Sequence, residues 1–160
     1  MNAYDYIAVG TSEHFSLSEW AEPDILKDVD VKVIQALDRL RERAGIALHP
    51  SQLADGWARF KGSKTSRHYA VGRLSDAADI FPARQVLDCW IAAMEDPYWG
   101  GIGLYLDTNR NKLQPQPMLH LDGRNGDRVF WVRNARGRYV YQHKHQAQFW
   151  ALIDQVRRAQ

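Results

Sequence analysis

The stretch SRHYAVGRLSDAADIF at residues 66–81 sets the terms for the rest of the chain, because it carries two metal-donor side chains, His68 and Asp79. A third donor comes from far away in the sequence: His120, in MLHLDGR, offers a second imidazole from a separate strand. Two histidines and one aspartate make a catalytic zinc set. A structural zinc site closes with four protein ligands, often thiolates, whereas three N/O ligands leave a coordination position for water. The chain has one cysteine, Cys89, which excludes both a thiolate cage and an internal disulfide.

Local periodicity supplies the elements around these donors. Ser16 and Glu19 have the spacing of a capping box, so a short helix begins there, with Phe15 against the core and His14 as an exposed or supporting histidine. From Asp30 onward Val33, Ile34, Leu37, Leu40 and Ala44 recur at three and four, and Gly45 stops the run. This predicts a packing helix whose Arg39, Arg41, Glu42 and Arg43 form a solvated face. Residues 46–48 read as a brief strand halted by His49-Pro50, and residues 55–65 as a Gly/Ser/Lys loop. Residues 82–96 carry Val86, Leu87, Trp90, Ile91 and Met94 at helical spacing, with Pro82 in the first turn. Cys89 falls on that helix as a buried, inert thiol, and Trp90 and Trp99 read as core or groove lining.

The Gly100-Gly101-Ile102-Gly103 run breaks the helix and leads to a β-like segment at 102–106, followed by a polar loop at 109–116. Residues 118–122 form a strand on which His120 and Asp122 share one face while Leu119 and Leu121 take the other. Residues 129–132 and 139–141 flank Asn134-Ala135-Arg136-Gly137 as a hairpin. A last helix carries Phe149, Leu152, Ile153 and Val156, preceded by His143 and His145 as exposed polar residues. The expected fold is α+β: a small, mainly antiparallel sheet with packed helices, in one domain over residues 1–160.

Five short motifs stand in a telling order. They are Gly56-Trp57-Ala58-Arg59, Ser66-Arg67-His68, Ala77-Ala78-Asp79-Ile80, Gly100-Gly101-Ile102-Gly103-Leu104-Tyr105 and His120-Leu121-Asp122-Gly123-Arg124, with HFSLSEW from position 14 ahead of them. In that order the chain resembles the zinc D-alanyl-D-alanine carboxypeptidase and murein endopeptidase family, whose fold is shared by the hedgehog signalling domain. The resemblance implies a zinc ion held by His68, Asp79 and His120, a peptidoglycan peptide substrate, and an arginine, Arg59, that binds substrate carboxylate or the developing oxyanion. Arg124 is the next candidate for that role.

The sequence departs from the family pattern at two places. Asp79 stands eleven positions after His68, a longer spacing than the family's, as though residues 71–74 were inserted. Asp76 is therefore the rival ligand, and the Ala-Ala-Asp-Ile context favours Asp79. Where many members carry an acidic general base, this chain has Pro117, and no carboxylate lies between residues 113 and 119. Asp122 is the nearest candidate for the base. Its other role is to accept the N–H of His120 and orient that ligand. Asp107 is the next place to look. Ser66 orients the His68 loop or meets substrate.

A net charge of +2 with a pI of about 8.7 is too mild to argue for nucleic acid, and Arg133, Arg136, Arg138, Arg157 and Arg158 read as a solvated turn and helix end. The opening MNAYDYIAVG lacks a basic segment followed by an apolar core, and no window reaches transmembrane length, so a monomer made in the cytoplasm without membrane insertion is expected. Such an enzyme reaches the wall through other proteins, as in a bacteriophage or prophage lysis or virion role. The competing expectation is a non-catalytic murein-binding or phage structural module that keeps the fold.

Overall fold

Alternation along the strand that carries His120 decides which way the sheet faces. In the computed structural model, which describes residues 1–110 and 115–160, the strand Met118–Asp122 has Leu119 and Leu121 wholly buried in the main core. His120 and Asp122 therefore project from the other face. The sheet has six strands: β1 (Leu48–Pro50), β2 (Ala77–Pro82), β3 (Gly101–Tyr105), β4 (Met118–Asp122), β5 (Val129–Arg133) and β6 (Tyr139–Tyr141), in spatial order β1-β2-β4-β3-β5-β6. Every neighbouring pair is antiparallel except β3 with β5, which is parallel. The architecture is α+β, as the periodicities predict.

The helices are α1 (Ala3–Ala8), α2 (Val31–Ala44), α3 (Val86–Glu95) and α4 (Gln146–Ala159). α3 packs on β2, β3 and β4, α4 packs on β5 and β6, and α2 lies behind α3. Between sheet and helices sit Ile80, Ile102, Leu104, Leu119, Val132, Trp90 and Phe149, all buried. Each large apolar side chain buried there contributes about 1.5–3 kcal/mol. The limits of α2 follow from its sequence: the Asp30 carboxylate accepts the Lys32 N–H at 2.9 Å, and Gly45 closes the helix at φ 62°. Ser16 and Glu19 bracket a single 3₁₀ turn, Leu17–Glu19, in which Glu19 Oε1 accepts the Ser16 N–H at 3.1 Å. In the β5–β6 hairpin Asn134 Oδ1 accepts the N–H groups of Arg136 and Arg138, and Gly137 takes φ 74°.

Two boundaries differ from the sequence reading, both because of the same strand pair. β1 lies at Leu48–Pro50, so His49-Pro50 does not halt it. β1 is an edge strand whose Ser51 N–H donates to Asp79 O, which leaves the nitrogen of Pro50 facing away from β2, where a missing donor costs no ladder bond. Pro82 does not open α3. It ends β2 opposite Leu48, and α3 begins at Val86 after Gln85, which sits at φ 47°. Of the polar loop expected at 109–116, residues 111–114 lie outside the described residues. Among the described residues, no helix is long and apolar enough to cross a membrane.

Candidate metal centre

Register brings the first two donors together. Asp79 on β2 lies directly opposite His120 on β4, both on the face turned away from the helices. His68 arrives from the loop before β2, and the GWAR segment holds it there. Trp57 is wholly buried and its indole N–H donates to Ser51 O at 2.9 Å. From that anchor the Arg59 N–H donates to His68 O at 2.6 Å and the Ala70 N–H to Arg59 O at 2.8 Å, a short parallel bridge. Gly56 lets the turn lie flat on the site: a Cβ there would come within 2.8 Å of Ser51 Oγ and 3.2 Å of the Asp79 Cβ.

The three donor atoms converge. His68 Nε2 lies 3.1 Å from His120 Nδ1, His120 Nδ1 lies 2.9 Å from Asp79 Oδ1, and His68 Nε2 lies 3.4 Å from Asp79 Oδ1. A tetrahedral ion with bonds of about 2.0–2.1 Å spaces its ligand atoms about 3.3 Å apart, so the triangle has the size such an ion needs. Among the described residues this is the one group of three His, Cys, Asp or Glu side chains near enough to hold a metal. All three residues are buried, with 8% exposure left on Asp79 and His120.

Behind the triangle, His120 Nε2 faces Asp122 Oδ2 at 3.1 Å. Asp122 is wholly buried and is gripped by Arg124, whose Nε donates to Oδ1 at 2.7 Å and Nη2 to Oδ2 at 2.5 Å. With Nε2–H given to Asp122, the Nδ1 lone pair of neutral His120 points at the other two donors. The electrostatics favour positive charge on this ring. Burial opposes charge on His120, but the carboxylates of Asp122 and Asp79 overcome it and push the ring up to about 9. Burial likewise works against ionised Asp79, yet His68 and His120 hold its carboxyl well below the usual range. The triangle thus favours positive charge, which is what a cation supplies. His68 Nδ1 is buried without a hydrogen-bond partner, so His68 lacks the orienting acceptor that His120 has.

The Gly-Gly-Ile-Gly run makes room for this arrangement. A Cβ on Gly101 would sit 2.3 Å from Asp122 Oδ2 and 2.6 Å from Arg124 Nε, and one on Gly103 would sit 2.4 Å from the Trp131 ring. Bare backbone on β3 therefore lets Asp122 and Arg124 close from one side and Trp131 reach across to His120, 5.4 Å between centroids. Trp131 escaped the sequence reading. Glycines two apart in a strand are the sign that something crosses it closely.

The other nominated residues fall into place by their partners. Asp76 is not in the triangle, because Arg67 takes both its oxygens, Nε to Oδ1 at 2.9 Å and Nη2 to Oδ2. Asp122 is not placed as a general base. It serves the far nitrogen of His120 and is committed to Arg124, which in turn is not free for substrate. Arg59 supports His68 through its backbone, and its guanidinium Nε donates to Asp55 O at 2.8 Å. Asp107 pairs with Arg133 Nε at 2.7 Å. The Ser66 carbonyl accepts from Arg73 Nη2 at 2.8 Å. Burial pushes the Cys89 thiol up to about 12, which makes it inert, and His143 and His145 are exposed. No family model, curated protein or solved structure matches the chain.

Proposed function

We propose that the protein is a zinc-dependent peptidase that hydrolyses D-amino-acid-containing peptide bonds of peptidoglycan. The observation that carries this reading is the convergence of His68 Nε2, His120 Nδ1 and Asp79 Oδ1 within 3.4 Å of one another. These donors also stand in the motif order of the family that the sequence resembles. His68, Asp79 and His120 would hold the ion, which when bound supplies Lewis-acid polarisation of a peptide carbonyl and acidifies a coordinated water. The chain's own groups prepare the site. Asp122 sets the His120 tautomer and Arg124 keeps Asp122 ionised and in place. The Tyr105 ring lies nearly parallel to His120, 10° apart with centroids at 6.1 Å, and with Trp131 it screens the imidazole from water. Murein as substrate suits a lysis or virion role in a bacteriophage or prophage.

One observation favours a second reading, a murein-binding or phage structural module that keeps the fold without turnover. Each carboxylate nominated as general base is held by an arginine, Asp122 by Arg124 and Asp107 by Arg133, and Pro117 occupies the position at which many family members carry an acid. Metal analysis of the purified protein together with turnover on purified murein separates the two. Zinc with turnover that a chelator abolishes and added zinc restores supports the peptidase. Stoichiometric zinc without turnover identifies the module, and a protein that binds no zinc overturns the peptidase.

A further inference from the structure

His120 is one vertex of a closed circuit of five rings. Centroid to centroid, His120 lies 5.4 Å from Trp131, Trp131 6.2 Å from Tyr141, Tyr141 6.3 Å from Tyr139, Tyr139 6.0 Å from Tyr105, and Tyr105 6.1 Å from His120. Strand register creates it. His120, Gly103, Trp131 and Tyr141 are successive cross-strand partners, and Tyr105, Arg133 and Tyr139 form the next row on the same face. Exposure rises along the circuit, from 5% at Trp131 through half-buried Tyr105 and Tyr141 to 47% at Tyr139. The outer pair, Tyr139 and Tyr141, has ring planes within 19° of each other and stands on β6, the last strand of the sheet. A chain of ring contacts thus runs from the metal triangle to the exposed Tyr139 at the end of the sheet.

The chemistry of that surface selects its ligand. A gluco-configured pyranose ring presents axial C–H groups on its faces, which lie on an aromatic ring, and a rim of hydroxyls that needs polar partners. Tyrosine offers both an apolar face and a hydroxyl. Around the rings stand cations: Arg133 lies 4.3 Å over the Tyr105 ring and 5.9 Å from that of Tyr139, and Lys144 lies 5.5 Å from that of Tyr141. One exposed and one half-buried ring are far less than the roughly 800 Å² per partner of a stable protein interface. A membrane surface would need a broad apolar face as well.

We propose that Tyr139 and Tyr141, beside the buried Trp131, form a stacking subsite for saccharide rings, so that the substrate is a stem peptide still attached to its glycan strand. Its link to cleavage rests on the peptidase reading, but saccharide binding itself does not. The test titrates the protein with an N-acetylglucosamine tetramer, followed by tryptophan fluorescence, and compares kcat/KM on intact murein with that on a sugar-free stem peptide. Wild-type protein should bind the tetramer, Tyr139→Ala/Tyr141→Ala should weaken binding about tenfold, and Tyr139→Phe/Tyr141→Phe, which keeps the rings, should retain most of it. The alanine variant should also lose more activity on murein than on the sugar-free peptide. No tetramer binding by the wild type, undiminished binding by the alanine variant, or an equal loss on both substrates overturns the subsite. Tetramer binding without any turnover leaves the subsite standing and sinks the peptidase, whereas turnover without tetramer binding does the reverse.

Discussion

Asp122 Oδ2 lies 3.1 Å from His120 Nε2, on the opposite side of the imidazole from Asp79, which meets Nδ1 at 2.9 Å. One ring therefore mediates between a buried carboxylate pinned by Arg124 and the vertex of the donor triangle. The i, i+2 spacing of His120 and Asp122 puts both on one face of β4. Their hydrogen bond makes Asp122 an orienting acceptor.

Asp122→Asn should accordingly weaken zinc affinity about 10 to 100-fold, the usual cost of losing such a partner. Competition with a chromophoric chelator measures it. On the proposed peptidase reading, turnover on murein should return when zinc is added in excess. A rate loss that excess zinc fails to restore would return Asp122 to the role of general base.

On the proposed zinc reading, single alanine variants at His68, Asp79 and His120 should each lose stoichiometric zinc after dialysis, because each removes one corner of a three-donor group. Asp76→Ala should keep its zinc, since Asp76 is spent on Arg67. Metal loss from Asp76→Ala with retention in Asp79→Ala would reverse the assignment.

Gly103→Ala tests whether the glycine run is about space. The new methyl would meet the Trp131 ring at 2.4 Å, so the ring must move off His120 or the strands must part. Overpacking of this kind costs about 1–3 kcal/mol. A lowered melting temperature together with a shifted tryptophan emission is expected. An unchanged spectrum and melting temperature would mean that Trp131 does not need its place over β3.

Asp96 gives a pH test away from the site. It is 1% exposed and accepts from Arg39 Nε at 2.8 Å and from the Tyr98 N–H at 2.9 Å, joining α2 to the end of α3. Burial alone would raise its pKa, but these donors hold the carboxyl below its ordinary value. A lowered folded-state pKa contributes stability that is present above the unfolded value of about 3.9 and lost as pH falls below it. Asp96→Asn should therefore destabilise by about 1.5–3 kcal/mol at pH 7, and the gap from wild type should narrow as pH drops below about 4. Denaturant titrations at several pH values check it, and a gap independent of pH would remove the charge from the explanation.

Much of this structure is written in local pattern. The α2 and α4 periodicities, the Asn134–Gly137 turn and the alternation of Leu119 and Leu121 with His120 and Asp122 each encode a dihedral preference or a face, which needs no distant partner. The same holds for His68 and His120 as donor candidates, since residue type and motif order suffice to nominate them. Non-local pairing decided the rest. Only the β2–β4 register puts Asp79 across from His120 and leaves Asp76 to Arg67. Only the β1–β2 pairing draws Pro50 and Pro82 into strands that their residue types argue against. The glycines of β3 read locally as a break, and their purpose emerges once Asp122, Arg124 and Trp131 close over them. Local patterns constrain a residue's own backbone and the side its chain takes. Which groups meet across the sheet depends on how strands far apart in sequence align, and that alignment is settled by burying the whole core at once.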